Sequence, residues 1–280
     1  MQYENPLVPE GINTTDEHPL KEFITLSVGV ILVVVFFMGL ITLAVELSAR
    51  LVPFEYEQQM VSSVLQKDPS KSTPQERYLQ VLADKIAQAQ GLPKEMIITV
   101  HYEDDDIKNA FATLGGHVFI HRGLVEQLSN ENALELLLAH EIAHIKYRHP
   151  LKSLGSGLLM QIFWAIISGN SDPSALASIS QLTSLSYSRS NETQADEEGL
   201  YCVFQLHHDV NGASELFQAL IDQQSDSDFS PPKYLSTHPD LAERIIHLKK
   251  LAIEKGWSAQ KKIKPLNLIF KKVSTTSGSE

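Results

Sequence analysis

Three hydrophobic patterns divide the chain. The first is an unbroken apolar run, "FITLSVGVILVVVFFMGLITLAVEL" from Phe23 to Leu47, in which Glu46 is the only ionisable group. At about 1.5 Å per residue its 25 residues outreach a roughly 30 Å hydrocarbon core, so the run predicts a transmembrane helix. It is longer than the apolar region of a signal peptide, about 7–15 residues, and no basic segment precedes it: residues 1–22 hold Lys21 against five acidic residues. The second pattern is helical. Thr73-Pro74-Gln75-Glu76 reads as a capping box with Pro at the first helical position, opening a helix to about Gln90 that Gly91-Leu92-Pro93 ends. Further helices are predicted through "SRSNETQADEEGLYCVFQLHH", from Ala213 to Gln224, and from about Asp240 to Lys255 after the loop "SDSDFSPPKYLSTHP". The third pattern is short and β-branched: "MIITVHY" predicts a strand, and Asn109 to Leu114 joined to "HVFIH" through Gly115-Gly116 predicts a β-hairpin. A second apolar run, Leu154 to Gly169, has only 16 residues and is read as a core or interfacial helix rather than a span.

One helical segment departs from ordinary core composition. "LELLLAHEIAHIKYRHP", Leu134 to Pro150, is apolar nearly all round, which predicts burial, yet it carries His140, Glu141 and His144. Ser129 or Asn130 can cap its start, Lys146, Arg148 and His149 suit the carboxyl end of its dipole, and Pro150 marks its end. Four residues apart on a helix, His140 and His144 share a face and can converge on one ion, while Glu141 projects beside them. This is the H-E-x-x-H pattern: neutral imidazoles bind zinc well, and an unliganded carboxylate can take a proton from the water that zinc activates. Buried histidines need partners, and a metal supplies them.

These elements predict a mainly α fold with a small β-sheet (α+β). They give a layout of an N-terminal tail (1–22), an anchor (23–47), a Pro-punctuated juxtamembrane connector with room for one helix (48–72), a folded domain (73–256) and a basic tail (257–280). The net charge of −11 argues against a nucleic-acid partner. Residues 249–280 nevertheless hold eight lysines against Glu254 and Glu280, read as a solvated tail in preference to a contact with anionic lipid. Cys202, the sole cysteine, excludes a disulfide within one chain. Basic residues flank the anchor on both sides, so charge does not orient it.

Two histidines leave a catalytic zinc one protein ligand short. The metzincin arrangement fails, because Tyr147 and Pro150 stand where it needs Gly and His. A glutamate on a later helix is the other solution. Glu192 and Asp196 share a helix face, so Glu192 can bind metal while Asp196 holds a ligand histidine by its free nitrogen or fixes the backbone nearby; Glu197 and Glu198 compete, with a solvated acidic face as their plainer reading.

Three segments in the same order resemble one family, the zinc metalloendopeptidases that include HtpX, the CAAX prenyl proteases, the Oma-type protease and BepA. "NAFATLGGHVFIHRGLVEQLSNENALELLLAHEIAHIKYRHP" resembles its strand, Gly-Gly turn and H-E-x-x-H helix. "SRSNETQADEEGL" resembles its R-x-x-E-x-x-x-D element through Arg189, Glu192 and Asp196, and "STHPDLAERI" resembles its late loop and helix through His238 and Arg244. The resemblance spans about Thr73 to Lys255 and implies a gluzincin fold holding one Zn2+ through His140, His144 and Glu192. It also implies Glu141 as base and then acid, and Asp196 and Arg189 behind the ligands; His238 is left as oxyanion donor, as an extra ligand in a latent state, or simply as a cap of the following helix. Protein or peptide substrates follow, with the bilayer engaged through residues 23–47, and the resemblance to BepA and Oma-type proteases, taken with the single anchor, implies the periplasmic side of a bacterial inner membrane and envelope protein quality control. The alternative is a membrane-tethered chaperone-like module with an idle metal site, against which stands Glu141, a carboxylate that a structural site would not use.

Overall fold

The computed structural model describes residues 19–62, 65, 69–155, 157, 185–226, 233–238 and 240–270. The chain divides into two compact units, Met1–Ala44 and Val45–Glu280. The first holds most of α1 (Pro19–Leu51), whose stretch Leu20–Leu47 is long and apolar enough to cross a membrane. Leu26, Phe36 and Leu43 are exposed, as lipid-facing side chains would be, and Thr25 and Thr42 return their hydroxyls to the carbonyls of Lys21 and Met38 at 2.8 and 2.9 Å. The helix ladder satisfies the backbone and these bonds satisfy the hydroxyls, which leaves only apolar surface for lipid.

The second unit is built around α5 (Glu131–Lys146), buried on every side. Asn130 caps it, accepting from Ala133 N–H at 2.9 Å. Before it come α2 (Phe54–Ser62), α3 (Pro74–Ala89), β1 (Thr99–Glu103), β2 (Ala110–Ala112), β3 (His117–His121) and α4 (Arg122–Val125). After it come α6 (Arg189–His207), α7 (Glu215–Asp226), α8 (Lys233–Thr237) and α9 (Leu241–Glu254). The capping box of α3 is complete: Glu76 N–H donates to Thr73 Oγ1 and Thr73 N–H to Glu76 Oε2. Leu134, Leu136, Leu137, Leu138 and Ile142 are wholly buried, each stabilising the fold by about 1.5–3 kcal/mol. Helix α6 is the principal neighbour of α5. A Cβ on Gly199 would stand 3.3 Å from His140 N, so a glycine here lets the two backbones approach closely at the first histidine.

The sheet has the order β1-β3-β2, with β1 parallel and β2 antiparallel to the central β3. The predicted hairpin is β2–β3, closed by Thr113 N–H to His117 O at 2.9 Å. The first strand starts at Thr99 rather than Met96, because Met96 and Ile97 turn back on the carbonyls of Pro93 and Glu95. Gly115 and Gly116 have φ of 72° and 86°, and a Cβ on Gly116 would stand 2.1 Å from the Ile97 carbonyl oxygen. Gly116→Ala is therefore expected to destabilise the domain by at least about 2 kcal/mol in denaturant unfolding; a change below about 0.5 kcal/mol would contradict this account of the turn.

Several predicted boundaries shift. Helix α5 stops at Lys146, Arg148 takes a left-handed conformation (φ 60°), and Pro150 sits early in a new helical stretch, 149–155. Pro lacks the N–H that a first helical turn leaves unbonded, so it starts this helix instead of marking the end of the previous one. The loop before α9 contains the short α8. Residues 48–72, read as a connector with one helix, do hold a helix, α2, and it packs on the β2–β3 turn: Glu57 accepts from Gly115 N–H at 3.2 Å and pairs with Arg148. Part of the basic tail is also seated on the domain. Leu266 and Phe270 are buried, Phe270 meets Tyr78 edge-on at 5.7 Å, and Glu131 N–H donates to Lys264 O. Apolar residues between the lysines hold it there. The run 154–169 lies outside the described residues apart from 154, 155 and 157.

Candidate metal centre

His140 and His144 stand one turn apart on α5, and their Nε2 atoms approach to 3.0 Å. Glu192, in the first turn of α6, brings one carboxylate oxygen to 3.6 Å from His140 Nε2 and the other to 3.5 Å from His144 Nε2. Ser188 caps α6 just before it, which fixes where that first turn begins. His238, directly after α8, presents Nδ1 to both Glu192 oxygens at 3.0 Å and to His140 Nε2 at 3.4 Å. All four side chains are buried, and their ligand-type atoms lie within 4.8 Å of one another, a set that could hold a metal ion. Glu141 is wholly buried beside them, with neither carboxylate oxygen hydrogen-bonded and Oε1 at 3.7 Å from His238 Nε2.

The groups behind this set are charged and paired. Asp196 Oδ1 lies 2.9 Å from His140 Nδ1, though off the line of a good hydrogen bond, and both its oxygens accept from Arg244 Nε and Nη2 at 2.7 Å. Arg244 Nη1 is also 2.8 Å from Glu192 Oε2. Burial alone would raise both carboxylates; the charge of Arg244 and its two hydrogen bonds, with the His140 ring close by, instead hold Asp196 at about 2, and His238, with His140 and Arg244 nearby, holds Glu192 below its usual range. Burial, with His140 and His238 nearby, pushes His144 well below its ordinary value, so it stays neutral. His238 goes the other way: burial lowers it, but Glu192 and Glu141 together raise it.

The fold brings together His140, Glu141, His144, Glu192, Asp196 and His238, and it leaves Arg189 outside. Arg189 is largely exposed and pairs with Asp240 at 2.8 Å. The buried arginine beside the ligands is Arg244; Arg189 lies at the solvent-facing start of α6 and its guanidinium turns outward. Glu197 pairs with His247, and Glu198 with Lys146 and Tyr147, so both point away from the centre. Two further residues line it without an obvious mark in the sequence. Tyr187 stacks on His144 at 4.0 Å and donates its hydroxyl to Ala112 O, and Tyr234 stacks on His238 at 4.3 Å with its hydroxyl unpartnered. Both precede a recognisable element, Ser188 or His238, and only the folded chain turns them inward.

Residues 73–252 match the profile of peptidase family M48. The chain belongs to that family. M48 relatives include the beta-barrel assembly-enhancing protease of Yersinia pestis, 27% identical over 211 residues that cover 71% of this chain and 42% of that one. The beta-barrel assembly-enhancing protease of Escherichia coli (strain K12) is 29% identical over 162 residues, covering 53% and 33%. The mitochondrial metalloendopeptidase OMA1 of Homo sapiens is 28% identical over 172 residues, covering 54% and 32%. The chain spans less than half the length of each of these relatives. The M48 match starts at Thr73, the N-cap of α3, and runs into α9, so it contains every residue of the metal centre.

Proposed function

We propose that this M48 protein is a membrane-anchored, zinc-dependent endopeptidase acting on protein substrates of the bacterial envelope, with the domain on the periplasmic side of the inner membrane. The observation that carries the reading is the wholly buried Glu141 carboxylate, without a hydrogen bond among the described residues, beside four ligand-type atoms within 4.8 Å of one another. Tetrahedral zinc with bonds of about 2.0–2.1 Å sets its ligands roughly 3.3–3.4 Å apart. The separations lie around that spacing: 3.0 Å between the two Nε2 atoms, 3.4 Å from His140 and 3.0 Å from Glu192 to His238, and 3.6 and 3.5 Å from His140 and His144 to different oxygens of Glu192. An idle structural site would explain the ligands and leave the buried Glu141 without a use.

His140, His144 and Glu192 would hold the ion, and zinc when bound supplies Lewis acidity toward the scissile carbonyl and acidifies a water. Glu141 takes the proton of the attacking water on its carboxylate and delivers it to the leaving amine as the C–N bond breaks. Asp196 and Arg244 keep His140 and Glu192 in place. His238, whose Nδ1 belongs to the same set, would serve as an additional ligand that keeps the resting enzyme latent. His238→Ala is then expected to keep its zinc and raise turnover several-fold; a drop in turnover at unchanged zinc would assign His238 instead to stabilising the oxyanion.

The test of the function is cleavage of an unfolded protein such as casein by the full chain in detergent, lost with a chelator and restored by zinc. Metal-free protein that cleaves equally well would reject it. A tag after residue 280 digested by protease added to spheroplasts supports the periplasmic side; a tag protected until the membrane is broken rejects it.

A further inference from the structure

His149 is absent from the metal set, yet it is wholly buried, and its Nδ1 lies 2.9 Å from Nδ1 of His144. The left-handed turn at Arg148 makes this approach possible: it ends α5 and folds the next residue back beneath the second histidine of the pair. Arg148 is itself held by Glu57 and by the Val52 carbonyl at 3.0 Å. On the far side of the His149 ring, Nε2 lies 3.2 Å from Oε1 of Gln194, one turn into α6. Tyr187 stacks on the His144 ring at 4.0 Å, and Tyr147 lies nearly parallel to the His149 ring at 5.7 Å.

The proton positions follow from these partners. A carbonyl oxygen only accepts, so His149 carries its proton on Nε2 and leaves Nδ1 bare. A bare Nδ1 must receive a proton from its neighbour, which puts the His144 proton on Nδ1 and leaves a lone pair on Nε2, the atom that faces His140 and Glu192. The reverse arrangement, with Gln194 donating its amide N–H, would put a proton on His144 Nε2 and aim N–H at the centre, where no metal could be bound. We infer that His149, oriented by Gln194, is the positioning residue that fixes the tautomer and ring angle of His144 so that its lone pair faces the metal. The two ligand histidines are thus supported differently, His140 by the Asp196–Arg244 ion pair and His144 by a neutral imidazole. This inference rests on the zinc reading above.

The test uses the full chain in detergent and measures zinc affinity against a chromophoric chelator, alongside nitrogen-15 imidazole spectra of the metal-free protein. His149→Leu keeps most of the bulk and removes the acceptor; it is expected to weaken zinc about 10–100-fold. His149→Asn, whose side-chain oxygen can occupy the place of Nδ1, should recover affinity to within about threefold. Gln194 is exposed, so solvent can take the place of its amide and Gln194→Leu should give a smaller loss. In the wild-type spectrum His144 should show one tautomer, protonated at Nδ1. Wild-type affinity in His149→Leu, an equal loss in His149→Asn, or a His144 protonated at Nε2 in the wild type would each overturn the relay. A wild-type chain that binds no zinc would overturn the metal reading itself; zinc binding that is indifferent to His149 would overturn only the relay. The wild-type spectrum decides the tautomer even where a variant fails to fold.

Discussion

Glu141→Gln is expected to hold one zinc per chain and to lose peptidase activity by about 100- to 10,000-fold. The carboxylate lies wholly buried with neither oxygen hydrogen-bonded, so the amide fits the same space and disturbs no existing bond. What disappears is a group able to take a proton and give it back. Among the described residues no side chain hydrogen-bonds to Glu141, so zinc content should match the wild type, and the unfolding midpoint should move only by the share of its 3.7 Å ion pair with His238. A variant that kept activity within about tenfold would remove Glu141 from the proton transfer, and one that lost its zinc would make it a ligand.

Arg244→Leu should cost about 3–5 kcal/mol of stability, because it strands two buried carboxylates, Asp196 and Glu192, beside each other without their cation. The dependence on pH separates this from simple loss of packing. With its folded value at about 2, below the ordinary 3.8, Asp196 contributes stability that is fully present above 3.8 and lost as pH falls toward 2. That contribution is on the order of 2 kcal/mol, and the raised Arg244 value is the same interaction seen from its partner, so it is not added again. Without Arg244 the desolvation of Asp196 dominates and its value rises, so the gap between wild type and variant should narrow as the metal-free protein is taken from neutral pH to about pH 3. A gap that stayed constant would mean that only packing against Phe217, whose ring lies 4.8 Å from the guanidinium, had been lost.

What the sequence made legible was the local part of this arrangement. The 25-residue apolar run, the capping box at Thr73 and the Gly-Gly hairpin each follow from neighbours in the chain, as does the shared face of His140 and His144. Glu192 and Asp196 were also readable, since their spacing of four places both on one face of α6. The groups set by long-range packing were not. His149 lies five residues past His144, across a left-handed residue that breaks the helical period, so it read as a charge at the end of a dipole. Arg189 and Arg244 have the same donors and stand in similar motif positions, and only burial distinguishes the one at the ligands from the one at the surface. The packing of α2 on the β2–β3 turn and the seating of the segment ending at Phe270 were hidden because the apolar residues of both are few and interspersed with charges.

The most direct test of the account is the zinc content of three purified variants, Glu192→Ala, Glu197→Ala and Glu198→Ala, with casein cleavage measured on the same samples. Glu192 alone among them faces His140, His144 and His238, whereas Glu197 and Glu198 bond to His247 and to Lys146 with Tyr147. Glu192→Ala is expected to lose zinc and activity together, and the other two to keep both; a zinc-replete, active Glu192→Ala protein would contradict the assignment of the metal centre.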